Sequence, residues 1–192
     1  MSILQTPDEG EVTGETAAIY AEERADLGYV PSHSRVLAMN AEAYEGWGKL
    51  VSAIAGSMGM RRYELVTLAA ALGLESRHCR LAHGQKALKF MGEDELLRIA
   101  KDYRDAGLDE AEVAMMDFAV KLSTDAAAMN DSDSRRLRDL GFSDREIVDI
   151  ALAAAARNFL SRFLQSLAVD VDVPPNLGEA MRHALLEPFG PE

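Results

Sequence analysis

The sequence predicts an all-α protein, and three observations support that fold class. The prolines lie towards the two ends of the chain, so no residue between Pro31 and Pro174 forbids a helix. Alanine and leucine dominate this central stretch, and both favour helix over strand. The stretch also lacks the strict alternation of Val, Ile and Thr that is typical of strands.

The first half of the chain contains four predicted helices, over residues 15–26, 32–40, 42–57 and 61–72. Gly28 and the turn into Pro31 end the first helix, and Gly59 breaks the chain between the third and the fourth. The fourth helix is strongly apolar on one side, and Gly73 is expected to form its C-terminal cap.

The second half contains five further predicted helices, over residues 76–91, 93–105, 109–129, 132–140 and 143–169. Ser76 is the expected N-cap of the first of these. Asp109 with Glu112, and Ser143 with Glu146, have the spacing of capping boxes at two of the other helix starts. After a proline-rich break, residues 179–186 are expected to add one turn of helix.

The length of 192 residues suits one generous domain, and no linker rich in Gly, Ser or Pro divides the chain. We therefore predict a single helical domain over residues 1–192, with an N-terminal lead-in at 1–14 and a C-terminal tail at 171–192.

An apolar run within the last long helix predicts an assembly. Residues 147–156 are apolar almost all round, and a helix without a polar face belongs in a core or a subunit interface. Residues 61–74 are nearly as apolar, so we expect a homo-oligomer built from dimers, with a hexamer as the preferred form. Arg157 follows the apolar run and is expected to pair with a carboxylate or to lie at the interface.

The charge balance and the single cysteine narrow the possible partners and locations. Acidic residues outnumber basic ones by 32 to 20, and the net charge of -12 argues against nucleic acid or anionic lipid as a partner. The apolar stretch at 65–74 is about half as long as a membrane span, so no membrane segment is expected. Residues 1–14 are acidic and lack the apolar core of a secretory signal. One cysteine cannot form an internal disulfide framework, so a reducing cytoplasm is expected.

The candidate reactive group is Cys79. If Ser76 caps its helix, Cys79 is the third helical residue, where unpaired N–H groups and the helix dipole favour a thiolate. His83 follows one turn later on the same face, within reach of the sulfur. His78 and Arg80 are expected to favour an anion further.

Glu64 lies on the preceding helix, which must fold back to bury its leucine face. We expect it to face Cys79 and His83 as a buried carboxylate with a raised pKa, suited to proton transfer. Taken singly, a cysteine in a helix is more often a small buried apolar residue, and a lone glutamate is more often solvated. Glu64, His78, Cys79 and His83 would also make a zinc set, but no second Cys-rich cluster supports a metal, and none is expected.

The joint spacing of these residues resembles a known signature. Glu64 is followed twelve residues later by Ser76, and Cys79 and His83 then complete the pattern C-x-x-C-x-x-x-H with serine in the first position. This is similar to the active-site motif of the AhpD-like alkylhydroperoxidases, within the carboxymuconolactone decarboxylase superfamily. Segment 28–38 resembles the family's entry segment, and segment 61–66 resembles its Arg- and Glu-rich region before the motif. Segments 142–148 and 158–162 resemble the closing helix of the peroxidase-related branch, and the likeness covers residues 27 to 170.

The resemblance implies an all-α AhpD-like bundle, oligomeric in the family, in which Cys79 attacks a hydroperoxide. In the family, a cysteine at the position that Ser76 occupies here resolves the product. Ser76 cannot form a disulfide, so an external thiol must resolve a Cys79 sulfenic acid. The expected function is thus a thiol-dependent, peroxide-reducing oxidoreductase that needs no cofactor. His83 activates Cys79, Glu64 relays protons, His78 lines the site, and Ser76 caps the site helix and contributes its hydroxyl.

Two alternatives from other functional classes stay open. One is a cofactor-free lyase of the carboxymuconolactone decarboxylase type, in which Glu64 and His83 do acid–base work and Cys79 is incidental. The other is a non-catalytic helical scaffold that retains the family's assembly.

Overall fold

The computed structural model describes residues 3–190, which form α-helices and short 3-10 turns and contain no strand. The predicted all-α fold class is therefore confirmed. The α-helices are α1 (Gly14–Leu27), α2 (Ser32–Leu37), α3 (Ala41–Met58), α4 (Met60–Gly73), α5 (Arg77–Ala87), α6 (Glu93–Asp102), α7 (Glu110–Asp125), α8 (Asp131–Asp139), α9 (Asp144–Ser166) and α10 (Glu179–Leu186). None of the helices in residues 3–190 combines the length and the apolarity that a membrane crossing requires.

The chain divides into two compact units. The first comprises the residues up to Ala53 together with Phe163–Asp172, and the second comprises Ile54–Arg162 together with the residues from Val173 onward. The prediction of one domain over residues 1–192 stays a prediction.

The first unit has a small core of its own, formed by Ile19, Tyr20, Val30 and Ala38. Polar side chains fix the chain around this core. The Asp172 carboxylate accepts hydrogen bonds from the backbone N and the hydroxyl of Ser32, at 2.7 and 2.8 Å. Because Ser32 is the first residue of α2, this carboxylate satisfies a free N–H group at the helix start.

The second unit is built around α4, which packs against α5 and α7. Every residue from Tyr63 to Ala71 is buried, so α4 is enclosed on all sides. The expectation that Gly73 caps α4 was wrong, because the chain leaves the helix at Leu74 and takes the left-handed conformation at Glu75, with a φ of 51°. A Cβ on Gly73 would lie 3.1 Å from the Val120 carbonyl oxygen, so this glycine allows α4 and α7 to approach closely.

The predicted caps in the second half of the chain are present. The Ser143 backbone N donates to the Glu146 carboxylate at 2.9 Å, and the Glu146 N donates to the Ser143 hydroxyl at 3.3 Å, which completes the predicted capping box. Asp109 accepts from the Glu112 N at 2.7 Å, which is the N-cap half of the other predicted box.

α10 is a full part of the second unit. It is longer than the single turn expected from sequence, because Met181, Ala184 and Leu185 share one face and are all buried against its partners α5 and α6. A Cβ on Gly84 of α5 would lie 2.3 Å from a methyl carbon of Leu185, so a glycine is needed at this contact.

The side chain of Arg80 ties four helices of this unit together. It is buried, and its guanidinium donates to the backbone carbonyls of Leu68 on α4, Ala100 on α6 and Leu185 on α10, at 3.3, 2.8 and 3.2 Å. The resulting frame holds α5 in place.

α9 exposes large apolar side chains and buries polar ones. Val148, Leu152 and Phe159 are exposed although they are large and apolar. Arg157 and Ser161, which are polar, are buried.

Candidate active site

The start of α5 is set by Ser76. Its backbone is extended, and its hydroxyl oxygen accepts a hydrogen bond from the backbone N of Cys79 at 3.4 Å. This confirms the predicted N-cap and makes Cys79 the third residue of the helix. The same contact shows what Ser76 does in the fold, because a side-chain oxygen satisfies one of the free N–H groups at the helix start.

Cys79 is buried, with 1% of its surface exposed, and two donors from α9 contact its sulfur. The Ser161 hydroxyl lies 3.1 Å from Sγ and the Arg157 Nη1 lies 3.6 Å from it. Neither residue was predicted from the sequence to lie in the site. The available signal was their spacing, since two polar residues four positions apart on a mostly apolar helix face the same way.

Arg80 does not supply the positive charge that the sequence analysis assigned to it. All three of its donor nitrogens contact backbone carbonyls on α4, α6 and α10. Helical neighbours at consecutive positions do not share a face, so Arg80 turns away from the direction that Cys79 takes. Arg157, from a distant part of the chain, provides the cation at the sulfur instead.

His83 and Glu64 form a buried pair. His83 Nδ1 lies 2.7 Å from Glu64 Oε2. The Thr67 hydroxyl donates to the Glu64 backbone carbonyl at 3.0 Å and also lies 3.3 Å from His83 Nδ1. Because the Thr67 proton is used at that carbonyl, Nδ1 is assigned as the protonated ring nitrogen, which leaves Nε2 with a free lone pair.

The electrostatics of the pair favour a neutral histidine beside an ionised carboxylate. Burial, together with the charge of Arg157, lowers the pKa of His83 to about 4. Burial alone would raise the pKa of Glu64, but His83, Lys86 and Arg157 outweigh it, and the net pKa lies below the usual value. The expectation of a raised pKa for Glu64 was therefore wrong, because the partner groups were not visible in the local sequence.

The second oxygen of Glu64 is available for chemistry. Oε1 is buried and has no hydrogen-bond partner within residues 3–190. Buried carboxylate oxygens are nearly always paired, so an orphan next to a histidine is typical of a site that handles protons.

Tyr63 joins the two halves of the site. Its hydroxyl accepts from Arg157 Nη2 at 3.4 Å, and its ring lies edge-on to the His83 ring, with centroids 6.2 Å apart. Burial raises the pKa of Tyr63, against the lowering effect of Arg157. Burial likewise would lower the pKa of Arg157, but Cys79 and Tyr63 raise it, so the guanidinium stays charged.

The structure thus brings together four of the five predicted residues in two contacting pairs, Ser76 with Cys79 and Glu64 with His83. His78, the fifth, is buried on α5 directly before Cys79. Cys79 and His83 lie one helical turn apart. The cluster can activate a thiol, hold an anion at its sulfur and move a proton through an imidazole.

Comparison with known proteins identifies the fold. No protein-family model matches this sequence, and no curated protein does. Among solved structures, the AhpD core of an uncharacterized peroxidase-related protein from Ralstonia eutropha superposes with a TM-score of 0.79 at 20% identity, over 96% of each chain. The chain has the AhpD-like fold.

Two further structures share this AhpD-like fold. An uncharacterized peroxidase-related protein from a Silicibacter species gives a TM-score of 0.79 at 24% identity, over 89% of this chain and 92% of that one. A cysteine-to-alanine variant of the debrominase Bmp8, in complex with 2,3,4-tribromopyrrole, gives 0.75 at 17% identity, over 98% of this chain and 100% of that one. The AhpD-like fold predicted from the sequence is therefore confirmed.

Proposed function

We propose that this protein is a thiol-dependent, peroxide-reducing oxidoreductase with Cys79 as its nucleophile. The observation that carries the proposal is the convergence of Arg157 and Ser161 on the Cys79 sulfur, beside a buried histidine–glutamate pair. A cysteine that served only as an apolar core residue would need no charged donor. The AhpD-like fold, shared with peroxidase-related proteins, supports the same reading.

The first step forms a sulfur–oxygen bond. The Cys79 proton leaves through His83 Nε2 before the peroxide binds, and the resulting thiolate attacks the outer peroxide oxygen and breaks the O–O bond. A proton from solvent then passes through His83 to the leaving alkoxide, so the products are a Cys79 sulfenic acid and an alcohol. Glu64 stabilises the transient imidazolium through its hydrogen bond to Nδ1.

The second half of the cycle uses an external thiol. Ser76 occupies the place of the resolving cysteine in the resembling family, and a hydroxyl forms no disulfide. One external thiol converts the sulfenic acid to a mixed disulfide and water, and a second releases reduced Cys79 and an external disulfide. The sum is one hydroperoxide and two thiols giving alcohol, water and disulfide, without a cofactor. His78 lines the site in this scheme, and the reducing cytoplasm is its proposed location.

The test is peroxide consumption by the reduced full-length protein with a small dithiol as the electron source. We expect Cys79→Ser to abolish consumption, and mass spectrometry of the wild type after one equivalent of hydroperoxide to find oxygen on Cys79. Glu64→Gln should slow consumption about tenfold or more, whereas Glu75→Gln, at an exposed position, should not.

The lyase alternative makes the opposite prediction. If Glu64 and His83 alone carry the chemistry, a lactone or carboxylate substrate is turned over equally by wild type and Cys79→Ser. Because a protein of this fold is a debrominase, 2,3,4-tribromopyrrole belongs in the same assays. Turnover of the bromopyrrole with no peroxide consumption would contradict the proposed function.

We also propose that the chain forms a homo-oligomer built from dimers, with a hexamer as the preferred form. The exposed apolar residues Val148, Leu152 and Phe159 on α9 support this proposal. Light scattering should give a mass above the 20.9 kDa of one chain, and a stable mass of 20.9 kDa would contradict it.

A further inference from the structure

The sulfur of Cys79 receives its donors from a helix that lies outside the sequence motif. Arg157 and Ser161 are four residues apart on α9, so they project in the same direction. Both side chains are buried, and both have a polar atom at Sγ, at 3.6 and 3.1 Å. Two independent donors therefore converge on one atom.

The chemistry of these donors favours one protonation state of the sulfur. A guanidinium keeps its charge in proteins, and burying that charge is costly unless an anion lies beside it. A neutral thiol is a weak hydrogen-bond acceptor, whereas an ionised acceptor forms the strong charge-assisted bonds. A thiolate at Cys79 would satisfy the guanidinium and the hydroxyl together.

We infer that Arg157 and Ser161 hold the Cys79 sulfur as a thiolate, which makes α9 a second catalytic element beside α5. Arg157 supplies the charge and Ser161 a hydrogen bond. Tyr63 fixes the guanidinium from the other side, since its hydroxyl accepts from Nη2. The inference deepens the proposed function and rests on it only in treating the thiolate as the reactive form.

The other titratable groups around the cluster are Tyr63 and Glu64 on α4 and His78, His83 and Lys86 on α5. Glu64 is the one competing anion among them. Its Oε2 is already bonded to His83, so the contacts favour Cys79 as the anion that Arg157 serves. An Arg157 that served only Glu64 would leave the state of the sulfur unchanged, which gives the inference a clear way to fail.

The experiment measures the ultraviolet absorbance of the thiolate in the reduced full-length protein at neutral pH. The spectrum of Cys79→Ser is subtracted, so the difference reports one sulfur. This readout needs no reagent to reach the buried sulfur and no peroxide. Arg157→Gln is expected to lower the thiolate fraction about tenfold, and Ser161→Ala roughly threefold. Arg157→Lys, which retains the charge, should restore part of the signal.

Matched controls lie on the same helix. Arg162→Gln and Ser166→Ala remove an exposed arginine and an exposed serine, and both should keep the wild-type absorbance. Circular dichroism checks the fold of each variant. If Arg157→Gln does not fold, Ser161→Ala and Arg157→Lys decide the matter.

The inference is overturned if the wild type has no thiolate signal at neutral pH, or if Ser161→Ala and the Arg157 variants retain it in full. Its failure is distinct from that of the proposed function. Loss of the thiolate in the variants of a protein that consumes no peroxide supports the inference and contradicts the function. Peroxide consumption by the wild type, with an unchanged thiolate signal in the variants, supports the proposed function and contradicts the inference.

Discussion

Two arginines are buried in the second packing unit, and their surroundings differ in kind. Arg80 donates to three backbone carbonyls, on α4, α6 and α10. Arg157 donates to the Cys79 sulfur and to the Tyr63 hydroxyl. The same residue type at similar burial therefore serves an inert set of acceptors in one place and a reactive set in the other.

The acceptors explain why only one of the two regions can do chemistry. Backbone carbonyls carry no charge that can change, so Arg80 can only hold helices together, and burial lowers its pKa to about 10. A thiol and a phenol can both ionise, so Arg157 can decide the state of its partners. Burial is therefore a poor guide to function, and the chemistry of the contacted atoms is a better one.

The largest effect on stability is expected at the inert site. Arg80→Met leaves buried carbonyls on three helices without their donor, and we expect the free energy of unfolding to fall by about 3 kcal/mol. Urea denaturation followed by circular dichroism measures the change. The folded fraction of this variant should keep the neutral-pH thiolate absorbance of wild type.

Arg182→Met is the matched control, because Arg182 is exposed on α10. It should change the free energy of unfolding by no more than about 0.5 kcal/mol. If Arg80→Met is as mild as this control, or if it removes the thiolate signal while folded, the contrast between the two arginines fails.

The same contrast marks the limit of sequence reasoning at the site. Arg80 adjoins Cys79 in the chain and was expected to favour its anion, but helix geometry turns neighbouring residues apart. Arg157 is 78 positions away from Cys79, and its contact depends on how α9 packs in the second unit. Local sequence can predict a capping serine or a one-turn spacing, and it cannot predict which distant side chain meets which.

The fold was easier to predict from the sequence than the site, because it depends more on local interactions. Helix starts depend on local caps, so Ser76, Asp109 and Ser143 were sufficient to locate three of them. The end of α4 depended on packing, since Gly73 serves the approach of α7 and the turn itself falls at Glu75. The Glu64–His83 pair was predictable as a contact, but its pKa values depended on Arg157 and burial.

A second difference between the regions is their response to pH. The acceptors of Arg80 do not titrate, whereas the Arg157 side contains His83, whose pKa burial lowers to about 4 when folded. The unfolded chain binds this proton near pH 6.5 and the folded chain does not, so stability falls as pH drops through the window between those values. We expect a loss of about 2 kcal/mol between about pH 7 and about pH 5.

His83→Gln should remove most of that loss, because the titrating group is gone. The lowered pKa of Glu64 acts in the same direction, but at pH values below its usual pKa of 4.5. His183→Gln, at an exposed histidine, is the control and should keep the wild-type slope. Urea denaturation at several pH values measures how the free energy of unfolding depends on pH. Equal slopes in wild type and His83→Gln would show that His83 does not cause the loss of stability.

The smallest expected effect on stability is that of a tyrosine hydroxyl beside Arg157. Tyr63→Phe removes the hydroxyl that accepts from Arg157 Nη2, and we expect a loss of about 1 kcal/mol in unfolding free energy. Tyr103→Phe is the matched variant, because its hydroxyl donates to Asp117 at 2.7 Å away from the sulfur, and its loss should be similar. Only Tyr63→Phe should also lower the thiolate absorbance, by roughly twofold, since a guanidinium is a rigid fork and freeing one arm misaligns the other. Equal thiolate signals in the two variants would mean that Arg157 holds its position at Cys79 without Tyr63, and that the reactive set of acceptors is the sulfur alone.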